Sequence, residues 1–134
     1  MKLFTFLIVL VLTSSCCKMG PYRNAVLVVK FENYSIDEVT EISNKVVPQG
    51  NLEWSITDNI SAITFEFLNV SSFYDIHLNV NDSTTYSISN IITTDLDDNN
   101  GKCDGGKEHQ LALSFKYNDG NYEASQVQQL SILK

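Results

Sequence analysis

One polar stretch, residues 95–108, concentrates the side chains that could do chemistry, and it reads DLDDNNGKCDGGKE. Its candidate oxygen ligands for a hard cation are Asp95, Asp97, Asp98, Asn99 and Asp104. Asp95, Asp97 and Asn99 stand at alternate positions, as calcium ligands do in binding loops. The pattern departs from an EF-hand because Asn100 stands where glycine belongs and Gly106 where a bidentate glutamate belongs. We therefore expect a protein or glycan partner first and weak calcium binding second, with a plain turn-rich connection as the alternative.

A second group of reactive residues lies near the amino terminus, where an apolar run meets two cysteines. Met1 and Lys2 precede a ten-residue apolar run over residues 3–12, interrupted only by Thr5, and the small polar residues 13–15 then lead to Cys16 and Cys17. Ten helical residues rise about 15 Å, which is about half of a membrane's hydrocarbon core. The layout therefore predicts a secretory signal rather than a membrane span.

This junction resembles the lipobox of bacterial lipoproteins, in which small residues precede a cysteine that is acylated before the chain is cut in front of it. The family usually has leucine three places before that cysteine, and Thr13 holds this place here. The resemblance covers residues 1–17 and implies that Cys16 is the lipidated residue. Cys17 fits the pattern less well, and an ordinary signal peptide or an uncleaved anchor is the alternative.

The resemblance also implies how the chain is divided and where it acts. It predicts a lipoprotein signal peptide over residues 1–15, a lipidated tether over 16–24 and one domain over 25–134. Membrane lipid on Cys16 would hold the domain at the outer membrane of a bacterial cell envelope. That compartment permits disulfides, so Cys17 and Cys103 either form a bridge or stay unpaired.

The sequence offers no catalytic signature. It contains no Gly-x-Ser-x-Gly, no His-Glu-x-x-His and no phosphate-binding glycine loop. His77 falls on the polar face of a predicted strand and His109 follows Glu108, so we expect both imidazoles to be solvated at the surface. These isolated histidines and the widely spaced cysteines lack the ligand spacing of a zinc site. We therefore expect no enzymatic activity, no cofactor and no resident metal.

The charge balance restricts the partners. Sixteen Asp and Glu against nine Lys and Arg give a formal net charge of −7, which disfavours nucleic acid. Two hypotheses remain: a lipid-anchored module that binds an envelope protein or glycan, and a structural envelope lipoprotein without a ligand of its own.

One short motif predicts a modification. Asp82-Ser83-Thr84 resembles the O-glycosylation signal of exported proteins in some Gram-negative bacteria, which implies a sugar on Ser83. The alternative is an unmodified hairpin turn, because these residue types favour turns. Both interpretations require Ser83 to be exposed.

Alternating apolar residues predict the strands that must position these side chains. The predicted strands are residues 25–32, 52–57, 60–68, 73–81, 84–92, 109–117 and 122–133. Trp54 is expected in the core. The Asp119-Gly120 pair predicts an antiparallel hairpin between the last two strands, and a bulge is expected near residues 127–130.

Residues 35–47 fit two structures. Ser35 and Glu38 form a capping-box pattern that predicts a short helix near residues 36–46. Several β-branched residues fit an edge strand equally well.

Together these elements predict an all-β fold. Seven short strands joined by polar turns favour an antiparallel β-sandwich of immunoglobulin-like or transthyretin-like type. A small β-barrel is the alternative. Fold class alone leaves the activity open.

Overall fold

The computed structural model describes residues 20–47, 52–97 and 105–134, which form two β-sheets and one α-helix. The strands are β1 (Tyr22–Arg23), β2 (Ala25–Glu32), β3 (Leu52–Thr57), β4 (Ala62–Phe67), β5 (Ser71–Asn81), β6 (Thr84–Asp95), β7 (His109–Tyr117), β8 (Gly120–Ser125) and β9 (Val127–Leu133). Helix α1 spans Ile36–Asn44, and a 3-10 turn spans Asp58–Ile60. The predicted all-β class with one short helix is confirmed.

The core lies between the two sheets, and the period-two alternation of the sequence builds it. Sheet one has the strand order β3-β4-β2-β9, and sheet two has the order β1-β7-β6-β5 with β8 also paired to β7. In β2 the residues Leu27 and Val29 are fully buried, and Ile63 and Phe65 face them from β4. Burying such side chains stabilises the fold by about 1.5 to 3 kcal/mol each.

Two strand pairs are parallel, which differs from the expected antiparallel arrangement. β1 pairs parallel with β7, and β2 pairs parallel with β9. β1 and β8 run in opposite directions along β7, yet the strands that continue them, β2 and β9, run in the same direction. The two passages between sheets, at Asn24 and Gln126, therefore cannot both preserve the direction of the chain.

The carboxyl-terminal strand prediction was correct in its first half and wrong in its second. Tyr117 pairs with Gly120 at the predicted hairpin, so β7 and β8 are antiparallel as expected. The expected bulge near residues 127–130 is instead a passage between sheets at Gln126, after which β9 runs in regular register along β2. The reason is burial, because Leu130 and Ile132 enter the core from sheet one.

Residues 36–44 are helical, so the helix prediction prevails over the edge strand. The Ser35 hydroxyl accepts from the Glu38 amide, and the Glu38 carboxylate accepts from the Ser35 amide. This capping box satisfies amides that a helix start otherwise leaves without partners. Val39 and Ile42 are buried, which fixes α1 against β5 and β3.

Candidate functional site

The polar stretch 95–108 links β6 to β7, and we call it the polar connection. A buried pair holds its two ends together: Asp95 at the end of β6 and His109 at the start of β7. The Nδ1 atom of His109 lies 2.7 Å from Oδ2 of Asp95, and the two side chains are 5% and 10% exposed. The expectation of a solvated His109 was therefore wrong. β1 pairs with this part of β7, and the Tyr22 ring makes an edge-to-face contact with the imidazole at 5.6 Å.

Two aspartate side chains at the end of β6 accept hydrogen bonds from backbone amides of the connection and of β7. The second oxygen of Asp95 accepts a hydrogen bond from the Asp97 amide at 2.9 Å. Oδ2 of Asp97 accepts from the Gln110 amide at 2.9 Å, and the Leu96 amide donates to the Gln110 carbonyl. We call Asp95, Asp97, His109 and Gln110 the loop base. Its carboxylates hold the first and last residues of the connection together.

The calcium hypothesis has to be weighed against these hydrogen bonds. Both Asp95 oxygens and one Asp97 oxygen already accept hydrogen bonds within the loop base. The described ranges contain no group of three or more His, Cys, Asp or Glu side chains able to hold a metal ion. The other candidate ligands, Asp98, Asn99 and Asp104, lie outside the described residues. Calcium binding by the connection stays a prediction.

The amino-terminal segment enters the fold directly against the loop base. A Cβ atom on Gly20 would lie 1.6 Å from the carbonyl oxygen of Lys107, so only glycine fits this approach without rearrangement. The His109 amide donates to the Pro21 carbonyl at 2.9 Å, and Arg23 then pairs with Gln110. The segment before β1 and the segment before β7 therefore run side by side in the same direction.

A groove of about 430 Å³ lies at the corner where the chain twice changes sheet. Its lining residues are Tyr22, Arg23, Asn24, Val26, Glu108, Gln126 and Val127. Arg23 and Glu108 bring one charge of each sign to this groove, and both are exposed. The groove lies next to the loop base, because its lining residue Tyr22 contacts the His109 imidazole.

The predicted exposed residues lie in a different part of sheet two. Ser83 is exposed in the turn between β5 and β6, and its amide and hydroxyl donate to the Asn81 side-chain oxygen. β6 has 12 residues, so this turn lies roughly 35 Å from Asp95 along the strand. His77 is exposed as predicted, with Nδ1 2.9 Å from the Ser87 hydroxyl. The glycosylation of Ser83 stays a prediction.

The cysteine predictions fall outside the described residues. Cys16, Cys17 and Cys103 all lie in segments whose structure is not described, so lipidation and the disulfide stay predictions. No helix in the described ranges is long and apolar enough to cross a membrane.

The Asp95–His109 pair was missed by sequence reasoning, although one signal pointed to it. Asp95 begins the polar stretch and His109 follows its last residue, so the two stand at the facing ends of the strands that the stretch connects. Antiparallel neighbours bring such ends together. Burial of His109 also requires the short strand β1 to lie over it. A strand of two residues is too short to show an alternating pattern in the sequence.

Comparisons of this chain with protein-family models, with curated proteins and with solved structures found no match. The function of this chain is therefore inferred from its own residues and their geometry.

Proposed function

We propose that the protein is a lipid-anchored lipoprotein of the bacterial cell envelope whose β-sandwich is a small binding module. The lipobox-like junction before Cys16 supports the anchor, and the contact between Gly20 and Lys107 puts the point of chain entry beside the loop base. Cys16 stands four residues before Gly20, and four extended residues reach about 14 Å at most. A lipid on Cys16 would therefore keep the loop base close to the membrane surface.

This geometry restricts the partner that the polar connection could contact. A surface held near the membrane meets envelope proteins or glycans that are themselves close to the lipid headgroups. The net charge of −7 opposes broad attraction to anionic headgroups, so selectivity would come from specific contacts. Long connections that rest on a rigid scaffold often carry such contacts.

The anchor is tested by substituting each candidate cysteine separately in a bacterial host. Cys16→Ser should abolish the acyl mass on the mature amino terminus and move the protein out of the membrane fraction, because stable anchoring needs the diacyl or triacyl group. Cys17→Ser is the matched control and should stay acylated. Membrane retention of Cys16→Ser with an unmodified terminus in the wild type would refute the anchor.

The binding module is tested by affinity capture of the intact lipoprotein from its native membrane. Shortening residues 102–107 should remove the captured partner, whereas Asp82→Ala in the distant β5–β6 turn should leave it bound. An unchanged partner after shortening would refute the connection as the contact surface.

A further inference from the structure

The outer edge of β9 is an unusual strand edge for a protein that stays monomeric. β9 pairs on one side with β2 and is the last strand of sheet one. Its sequence, VQQLSIL, has no charged residue and no proline. Val127 is 55% exposed and Leu133 is 62% exposed. Such an edge is a template for pairing with another strand.

The other sheet edges in the described ranges carry the charges that discourage pairing. Glu53 lies on β3, Asp75 on β5, Glu123 on β8 and Arg23 on the short β1. Charged edge residues are a common protection against association. Among these described edge strands only β9 has no charged residue within its bounds, with Lys134 following directly after it, and this marks its edge as the candidate interface.

The direction of the β9 backbone groups follows from two hydrogen bonds to β2. The Val26 amide donates to the Gln126 carbonyl at 2.8 Å, and the Lys134 amide donates to the Glu32 carbonyl at 3.2 Å. Bonding to one neighbour alternates along a strand, so the even-numbered residues of β9 face β2. The amides and carbonyls of the odd-numbered residues therefore face the outer edge, where the Val127 carbonyl already accepts one hydrogen bond from the Ser125 hydroxyl at 3.1 Å and keeps a second lone pair for a partner strand.

We propose that β9 is the seam of a homodimer, in which two copies pair β9 with β9 antiparallel about a two-fold axis at Leu130. This register places Val127 of each copy opposite Leu133 of the other, and Gln129 opposite Ser131. Each of these pairs joins two odd-numbered residues, so outward-facing amides meet outward-facing carbonyls. The two exposed apolar side chains cover each other.

The strand is complementary to itself only in this register. Moving the axis by half a residue pairs odd-numbered with even-numbered positions, and their backbone groups no longer meet. Moving it by one residue toward Gln129 leaves Leu133 opposite Ser125 and loses the apolar contact. A second copy of the chain therefore fits this edge better than an unrelated strand. Val127 at one end of β9 needs an apolar residue opposite it, and Leu133 at the other end of β9 supplies that residue in the second copy.

The seam is tested on the full-length chain in mild detergent by sedimentation equilibrium. The wild type should be a dimer in the micromolar range. Gln129→Lys with Ser131→Lys, and separately Gln129→Glu with Ser131→Glu, should each raise the dissociation constant roughly tenfold or more through like-charge repulsion. An equimolar mixture of the two double variants should form a heterodimer, since opposite charges then face each other.

The control substitution is Ser55→Lys, at an exposed position on the opposite edge of sheet one, and it should leave the dimer intact. A monomeric wild type, or double variants that stay dimeric, would overturn the proposal.

A second measurement needs no variant. The amides of Gln129 and Ser131 should exchange with solvent more slowly as the protein concentration rises, while those of Glu53 and Ser55 on β3 should not change. Exchange at Gln129 and Ser131 that is independent of concentration would also overturn the seam.

Discussion

At the scale of single residues, the Asp95–His109 pair shows how a polar contact can fix the ends of a long connection. Both side chains are almost fully buried, and burial of unpaired polar groups is costly. Each therefore depends on the other, and Asp95 also binds the Asp97 amide. The first and last residues of the connection stay together as long as this pair is intact.

Removing one member of the pair should destabilise the fold strongly. We expect His109→Ala to lower the free energy of unfolding by about 3 kcal/mol, because it removes a buried imidazole and leaves Oδ2 of Asp95 without its hydrogen bond. His77→Ala is the matched control, and as an exposed residue it should cost no more than about 0.5 kcal/mol. Denaturant unfolding of both variants measures the difference, and equal losses would contradict a structural role for His109.

A second residue-scale prediction concerns alkaline pH. Burial, reinforced by the hydrogen bond with Tyr86, raises the pKa of Tyr34 from 10.0 to about 12. The folded state thus favours the neutral phenol, so this stabilisation is complete below pH 10 and is lost as the pH rises toward 12.

The stability of Tyr34→Phe should therefore fall less between pH 8 and pH 12 than that of the wild type. Burial also raises the pKa of Tyr117, so some alkaline loss should remain in the variant. Unfolding measured by denaturant at each pH provides the comparison. Identical alkaline slopes in the two proteins would exclude Tyr34 as a source of the effect.

At the scale of elements, local patterns predicted what each segment forms better than which segments meet. β2 and β3 have the predicted bounds, and the capping box at Ser35 identified α1. These features depend on neighbours within a few residues, which a sequence displays directly. The pairing of β2 with β9 joins strands about a hundred residues apart, and no local pattern encodes it.

The same distinction explains the candidate site. The polar stretch and its carboxylates are visible in the sequence, but the burial of His109 requires β1 to lie beside β7. The division of the last predicted strand at Gln126 likewise depends on which sheet buries Leu130. The alternation of apolar and polar residues along a strand indicates which side chains are buried. It does not indicate which of the two sheets the strand joins.

At the scale of the whole molecule, the proposed dimer and the proposed anchor are compatible. A two-fold axis at Leu130 is perpendicular to sheet one and carries Gly20 of both copies to the same height along the axis. Both chain entries can therefore face one membrane that lies perpendicular to this axis. Confinement to that membrane raises the effective concentration of the second copy, which favours a seam of modest area.

Net charge gives the dimer a characteristic response to salt. Each copy carries a formal charge of −7, while the β9 seam carries none, so the electrostatic interaction between wild-type copies is repulsive. Screening by salt should weaken this repulsion, and the wild-type dissociation constant should fall several-fold between about 20 and 300 mM salt.

The mixed heterodimer of the lysine and glutamate double variants should respond in the opposite direction, because salt screens the ion pairs that hold it together. Sedimentation equilibrium at both ionic strengths distinguishes the two cases, and a wild-type dimer that dissociates in high salt would mean that charged groups outside β9 form the interface.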